Sequence, residues 1–148
     1  MGKQRIPSIL LFITAIGAVF FGIAKPYLIP EQAGEKQFFK DLMPSARFFS
    51  DKEGSPPHYK AYIDDPSKKG VEPSGYLFLT TDLFPYERGY AGPIKTLIGM
   101  DRNGIIKALR IIKHRETPAY AHKIEAPEFL DQFKGKGIRD EFIIGKDL

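Results

Sequence analysis

His114, Glu116 and His122 form the one cluster of histidines and carboxylate in this sequence that is compact enough to suggest chemistry. Side chains two apart share a face on an extended strand, so His114 and Glu116 project together there, and His122 would have to loop back to join them. As metal ligands they fall short. They supply three donors, the chain has no cysteine, and no H-E-x-x-H helix is present. Serine nucleophile chemistry lacks its G-x-S-x-G elbow, because Ser74-Gly75 leads into a strand. Gly89-Tyr90-Ala91-Gly92-Pro93 is not the G-x-G-x-x-G of a dinucleotide fold, and a strand rather than a helix follows it. What remains is His114-Arg115-Glu116-Thr117-Pro118: charge, a hydroxyl and a helix breaker placed directly after an apolar strand. Glu116 and Thr117 read either as ligand-binding groups or as a solvated strand end.

The element that must position them is a hairpin. Ile94, Thr96, Ile98 and Met100 alternate along a first strand and share one face. Asp101-Arg102-Asn103-Gly104 supplies turn chemistry, since Asn and Gly tolerate positive φ and Asp bonds to the backbone ahead of it. A type I turn with Gly104 as the left-handed residue of a bulge fits, and so does a two-residue Asn-Gly turn. Ile105 to Lys113 then returns as the partner strand. Gly89, Gly92 and Pro93 shape the approach to the first strand.

In their order along the chain these pieces resemble the FMN-binding domain family of the RnfG/NqrC/NosR type. The resemblance rests on Gly89-Tyr90-Ala91-Gly92-Pro93-Ile94, the Asp101–Gly104 turn, His114-Arg115-Glu116-Thr117-Pro118 and the later Phe129-Leu130-Asp131-Gln132-Phe133-Lys134-Gly135-Lys136, and runs from about Gly75 to Leu148. It implies an FMN cofactor and electron transfer beside a membrane respiratory redox complex or an iron–sulfur protein, as an electron-transfer flavoprotein rather than a stand-alone enzyme. An isoalloxazine ring needs an apolar or aromatic shelf and a few hydrogen-bonding groups for its polar edge. Tyr90 and Tyr120 with the hairpin isoleucines are the expected shelf; Glu116, Thr117 and the backbone of Pro118, Ala119 and Tyr120 are the expected polar groups. Covalent flavin in this family hangs on the Thr of a Ser-Gly-Ala-Thr motif, and these residues contain none. The expectation is therefore non-covalent FMN if this chain binds it alone, in a domain that is C-terminally incomplete. The alternatives are a flavin-free structural or sensory module, or a fragment whose flavin-bearing end lies elsewhere.

Elsewhere the chain supplies the rest of an α+β domain over residues 31–148. Phe38, Phe39, Leu42, Met43 and Ala46 recur at helical spacing between Glu31 and Phe49, a stripe expected to pack on a sheet, with Pro44 as the break and Ser45–Ser50 extended. His58–Ile63 and Gly75–Thr81 read as strands. Pro118–His122 reads as loop or a short helical turn. Ala126-Pro127-Glu128 opens a short helix whose Phe129, Leu130 and Phe133 are expected to face inward. Phe142-Ile143-Ile144 reads as a last strand. The fold expected is an antiparallel sheet with helices packed on one face, preceded by a single transmembrane helix.

That last element comes from residues 1–30, an anchor or signal peptide with its linker. A basic start with Lys3 and Arg5 precedes Ile6–Ala24, which has no charged residue. As a helix it would measure about 28 Å, close to the ~30 Å hydrocarbon core. The apolar run exceeds a signal peptide's usual ~7–15 residues, so an uncleaved bacterial inner-membrane anchor with its domain on the periplasmic side is expected. The net charge is +4, half of it from Lys3 and Arg5. The remainder is too dispersed for a nucleic-acid footprint.

Overall fold

The computed structural model describes residues 31–137 with residues 139 and 140, and side chains from Gly34 onward. The chain divides between Gly34 and Glu35 into two compact units, and the architecture below is that of the second. Ile6–Ala24 and Phe142–Ile144 lie outside the described residues. Among the described residues no helix is long and apolar enough to cross a membrane.

Five strands form one antiparallel sheet in which spatial order equals chain order: β1 (Phe48–Phe49), β2 (Tyr59–Tyr62), β3 (Gly75–Leu79), β4 (Lys95–Asp101) and β5 (Ile106–Lys113). The central hairpin has the register Ile98↔Leu109 and Gly99↔Ala108, with irregularities beside Met100 and Thr96. Its tip settles the turn type. Gly104 N–H donates to Asp101 O at 3.0 Å and Gly104 sits at φ 78°, so this is a type I turn closed by a glycine bulge. The Asp101 carboxylate oxygen Oδ1 accepts the N–H groups of Asn103 and Ile105 at 2.9 and 3.0 Å. Lys107 Nζ lies 2.9 Å from its other oxygen. The Lys107 bond and the Ile105 N–H, ahead of that of Asn103, hold the Asp101 carboxyl below the usual carboxylate range against a small opposing effect of burial.

The buried face of the sheet carries Tyr59, Ala61, Leu77, Leu79 and Leu97. Phe39 and Leu42, on the one-turn helix α2 (Phe39–Leu42), pack on it with Met43 and Ala46. The expected stripe is thus core, with Phe38 at its margin. Two glycines let the helix approach. A β-carbon at Gly99 would stand 3.1 Å from Leu42 Cβ, and one at Gly75 would collide with Met100 O and Met43 Cε. On β4 it is Leu97 and Gly99 that face this core; Ile98 and Met100 lie half-buried on the other side.

Several expectations shift. The helix expected from Glu31 splits into α1 (Glu31–Lys36) and α2, and ends at Leu42, before Pro44. Extended pairing narrows to Phe48–Phe49. The strand expected to reach Thr81 stops at Leu79, because Thr80 opens the helical turn α3 (Thr80–Leu83). There Thr80 Oγ1 donates to Ile94 O and accepts Thr96 N–H, both at 3.0 Å, which ties the strand's end to the start of β4. Ile105 leaves the hairpin strand and bridges Gly137. Residues 118–125 form a full helix, α4 (Pro118–Glu125), followed by α5 (Pro127–Leu130) and a 3-10 turn at Asp131–Phe133. Phe129 is more exposed than expected, touching the Phe133 ring edge-on, since α5 lies at the rim rather than over the core.

Tyr59, Leu79, Lys95 and Lys113 mark one end of the sheet, opposite the Asp101 turn, and a buried charge network closes it. Glu35 is 3% exposed. Its carboxylate accepts the Tyr59 hydroxyl and lies 2.6 Å from Lys95 Nζ and 3.6 Å from Lys52 Nζ, while Lys52 pairs with Asp82 at 2.8 Å. Burial, then the bond to Glu35, keeps the Tyr59 phenol far above its ordinary range and protonated. Two acids and two lysines balance, as buried charge requires.

Candidate functional site

The same sheet end brings together most of the residues singled out by sequence. β3 leaves through α3 into the 84–94 loop, and β5 leaves through residues 114–117 into α4, so two connections meet above the Lys95↔Lys113 pair. Residues 114–117 are irregular rather than strand. Strand alternation therefore does not separate Arg115 from Glu116, and both reach the 89–92 loop.

Glu116 Oε1 accepts the Ala91 N–H at 3.0 Å. Gly89 makes room for it, because a β-carbon there would stand 2.4 Å from that oxygen and 2.7 Å from Ile94 Cδ1. Gly89 N–H donates to Gly92 O at 2.8 Å, curling the loop, and Gly92 takes a φ of 144°. Arg115 Cδ lies 3.9 Å from where a Gly92 β-carbon would be, so the stem of its side chain passes beside the same loop.

Tyr90 is 90% exposed and Tyr120 57%. Their rings face each other at 6.4 Å between centroids, inclined by 20°. Thr117 occupies the position ahead of α4 with an extended backbone (φ −64°, ψ 153°), and its hydroxyl makes no capping bond. Its carbonyl accepts the N–H groups of Tyr120 and Ala121. Pro118 opens the helix where a missing N–H costs nothing, and Ala119 follows it, exposed.

His114 pairs with Glu125. Glu116 N–H donates to His114 Nδ1 at 3.1 Å, which leaves the ring proton on Nε2, 2.9 Å from Glu125 Oε1. Among the described residues no group of three histidines, cysteines or acids stands close enough to hold a metal ion. Glu125, Arg115 and Gly89 are the participants that sequence reasoning missed or assigned otherwise. The residues picked out by sequence do not line the cleft of about 540 Å³ between Met43, Ile63, Asp101 and Lys134, which lies toward the turn end of the sheet.

Around one loop this arrangement presents two facing aromatic rings, a carboxylate whose Oε2 has no bond among the described residues, a hydroxyl that caps no helix donor and an arginine side chain. Residues 89–146 match the FMN-binding domain family. Among curated proteins the chain is similar to a component of the Na(+)-translocating ferredoxin:NAD(+) oxidoreductase complex of Acetobacterium woodii, 38% identical over 58 residues, which are 39% of this chain and 28% of that protein. It is also similar to a component of the ion-translocating oxidoreductase complex of Salmonella typhi, 40% identical over 55 residues, 36% of this chain and 27% of that one. The corresponding protein of Haemophilus influenzae (strain ATCC 51907) is 39% identical over 59 residues, 40% of this chain and 27% of that protein. The matched stretch thus spans under a third of the length of these relatives. The family match begins at Gly89, where the loop built around Tyr90 begins, and it takes in the hairpin, Glu116 and α4.

Proposed function

We propose that the loop at Gly89–Pro93, the exit of β5 and the first turn of α4 bind FMN, and that the chain transfers electrons as part of a membrane redox complex. The observation that carries this reading is the Tyr90–Tyr120 pair within the family-matched stretch. Aromatic carbons in contact stand ~3.5–4.0 Å apart, so a ring held between two others needs roughly 7 Å. The rings stand 6.4 Å apart, are both exposed, and need only a small opening to admit a flat ligand. The residues present therefore fit the flavin.

In this reading Tyr90 and Tyr120 flank the ring system. Glu116 Oε2, the Thr117 hydroxyl and the Ala119 N–H, one of the helix-start donors without an intrahelical partner, face its polar edge. Pro118 sets the direction of α4 so that Ala119 and Tyr120 follow in place. Arg115 neutralises the phosphate. Bound FMN supplies one- or two-electron transfer; the chain's own residues bind and orient it, and no Ser-Gly-Ala-Thr threonine is present in them to fix it covalently. Ile6–Ala24 is the anchor, placing the domain on the extracytoplasmic side of the inner membrane. The partners are membrane components of a complex like those of the relatives, including an iron–sulfur donor or acceptor, since the chain has no cysteine to hold a cluster.

The test is fluorescence titration of FMN with the purified full chain in detergent. Quenching that reverses on dialysis, with no fluorescent band on a denaturing gel, is expected. Tyr120→Ala should weaken it roughly tenfold, in keeping with a stacking contact worth about 1–3 kcal/mol. Absence of quenching at high protein concentration would sink the proposal and leave a flavin-free module.

A further inference from the structure

We infer that the 84–88 loop is a membrane-contact element, which presses the end of the sheet bearing the aromatic pair against an anionic lipid surface. Phe84 is 61% exposed and Tyr86 91%, side by side in sequence with Pro85 between them and Arg88 just beyond. Exposed aromatic rings next to arginine suit the headgroup region, where a ring with a polar edge and a cation are both satisfied. The charge around them is complementary to anionic lipid. Arg88, Lys113 and Lys123 are exposed and have no acidic partner among the described residues. The acids at this end are Glu87, Glu116 and Glu125, against Arg88, Lys113, Arg115 and Lys123, which leaves a small positive excess. At the turn end Lys107 pairs with Asp101 and Arg102 approaches Glu72, while Lys134 is exposed.

Chain connection points the same way. Glu35, the first residue of the compact unit, is fastened to Tyr59 and Lys95 at this end of the sheet. Ile6–Ala24 precedes it by only ten residues, Lys25 to Gly34. The chain therefore enters the compact unit at the end that carries Phe84 and Tyr86. The inference rests on the anchor reading made above.

The absence of cysteine makes a clean experiment. The full chain carrying Tyr86→Cys or Asn103→Cys is labelled with an environment-sensitive fluorophore and placed in nanodiscs of phosphatidylglycerol or of phosphatidylcholine alone. The expected result is a blue shift and loss of iodide quenching at position 86 in phosphatidylglycerol discs, with position 103 unchanged. Added Arg88→Glu should reverse the shift at 86, and so should high salt. Equal exposure at 86 and 103 in phosphatidylglycerol discs would overturn the inference and leave the loop for a protein partner. Equal protection at both positions would overturn it too, since no particular end would then face the lipid. A chain recovered outside the discs overturns the anchor reading itself, and this inference with it.

Discussion

Glu116 and Ala91 stand twenty-five residues apart in sequence, and a single bond of 3.0 Å from the Ala91 N–H to the Glu116 carboxylate closes the 89–93 loop onto the exit of β5. The Arg115 side chain also comes beside this loop from that exit. The position of Tyr90 opposite Tyr120 depends on the closure.

Glu116→Ala should therefore free the loop, while Glu116→Gln, whose amide oxygen still accepts, should largely retain it. The exposed bond predicts a loss of about 1 kcal/mol in stability for the alanine variant. Hydrogen exchange at the Ala91 amide is the direct readout and should accelerate in the alanine variant alone. Gly89→Ala should mimic Glu116→Ala at that amide and in stability, because the atom its β-carbon displaces is the accepting Glu116 Oε1.

Gly104, at φ 78°, closes the turn that sets the hairpin register. Gly104→Val places a β-branched residue in the left-handed region and should cost about 1–3 kcal/mol, whereas Gly104→Asn should cost less. Urea midpoints of the two variants rank them. A valine variant as stable as the parent would show that the turn tolerates another geometry.

Acid should act on the same turn. The Asp101 carboxyl is depressed in the folded chain by Lys107, Ile105 and Asn103. A depressed carboxylate contributes stability that is present above its unfolded value of ~3.9 and is lost as pH falls through the lower folded value. The parent should therefore lose stability below about pH 4 more steeply than Asp101→Asn. Equal slopes over that window, in urea unfolding followed by circular dichroism, would rule the linkage out.

At the opposite end, Glu35→Ala would leave Lys95 and Lys52 without their shared counter-ion and the Tyr59 hydroxyl without its acceptor. A cost of about 3–5 kcal/mol is expected. Glu35→Leu combined with Lys95→Met should recover much of it, since removing both partners of a buried pair is far less damaging than removing one. Thermal melts of the single and double variants decide the matter.

What the sequence revealed follows the range of the interactions. The Asp101–Gly104 turn was legible because its bonds run between residues no more than four apart. The Phe39–Ala46 stripe was legible because its period matches a helix, although the helix itself is only one turn long. The limits at Thr80 and Ile105 were not: each is set by a partner strand or loop, Ile94 and Thr96 for the first and Gly137 for the second. In the candidate site the polar residues were found by type, but their partnerships were not. Glu116 reads as a free ligand until Ala91 is beside it, and His114 reads as a companion of His122 until Glu125 claims it. Glu35 gave no signal, since an acid among lysines in a polar helix looks solvated.

The sheet's order has a further consequence. Each strand pairs with the one made just before it, so no strand waits for a distant part of the chain to supply its neighbour. Such a sheet closes only connections between successive strands and can assemble in the order in which the residues arrive. A chain that emerges residue by residue can lay down β1 to β5 in sequence while its remainder is still to come. Sheets whose central strand comes last have no such freedom.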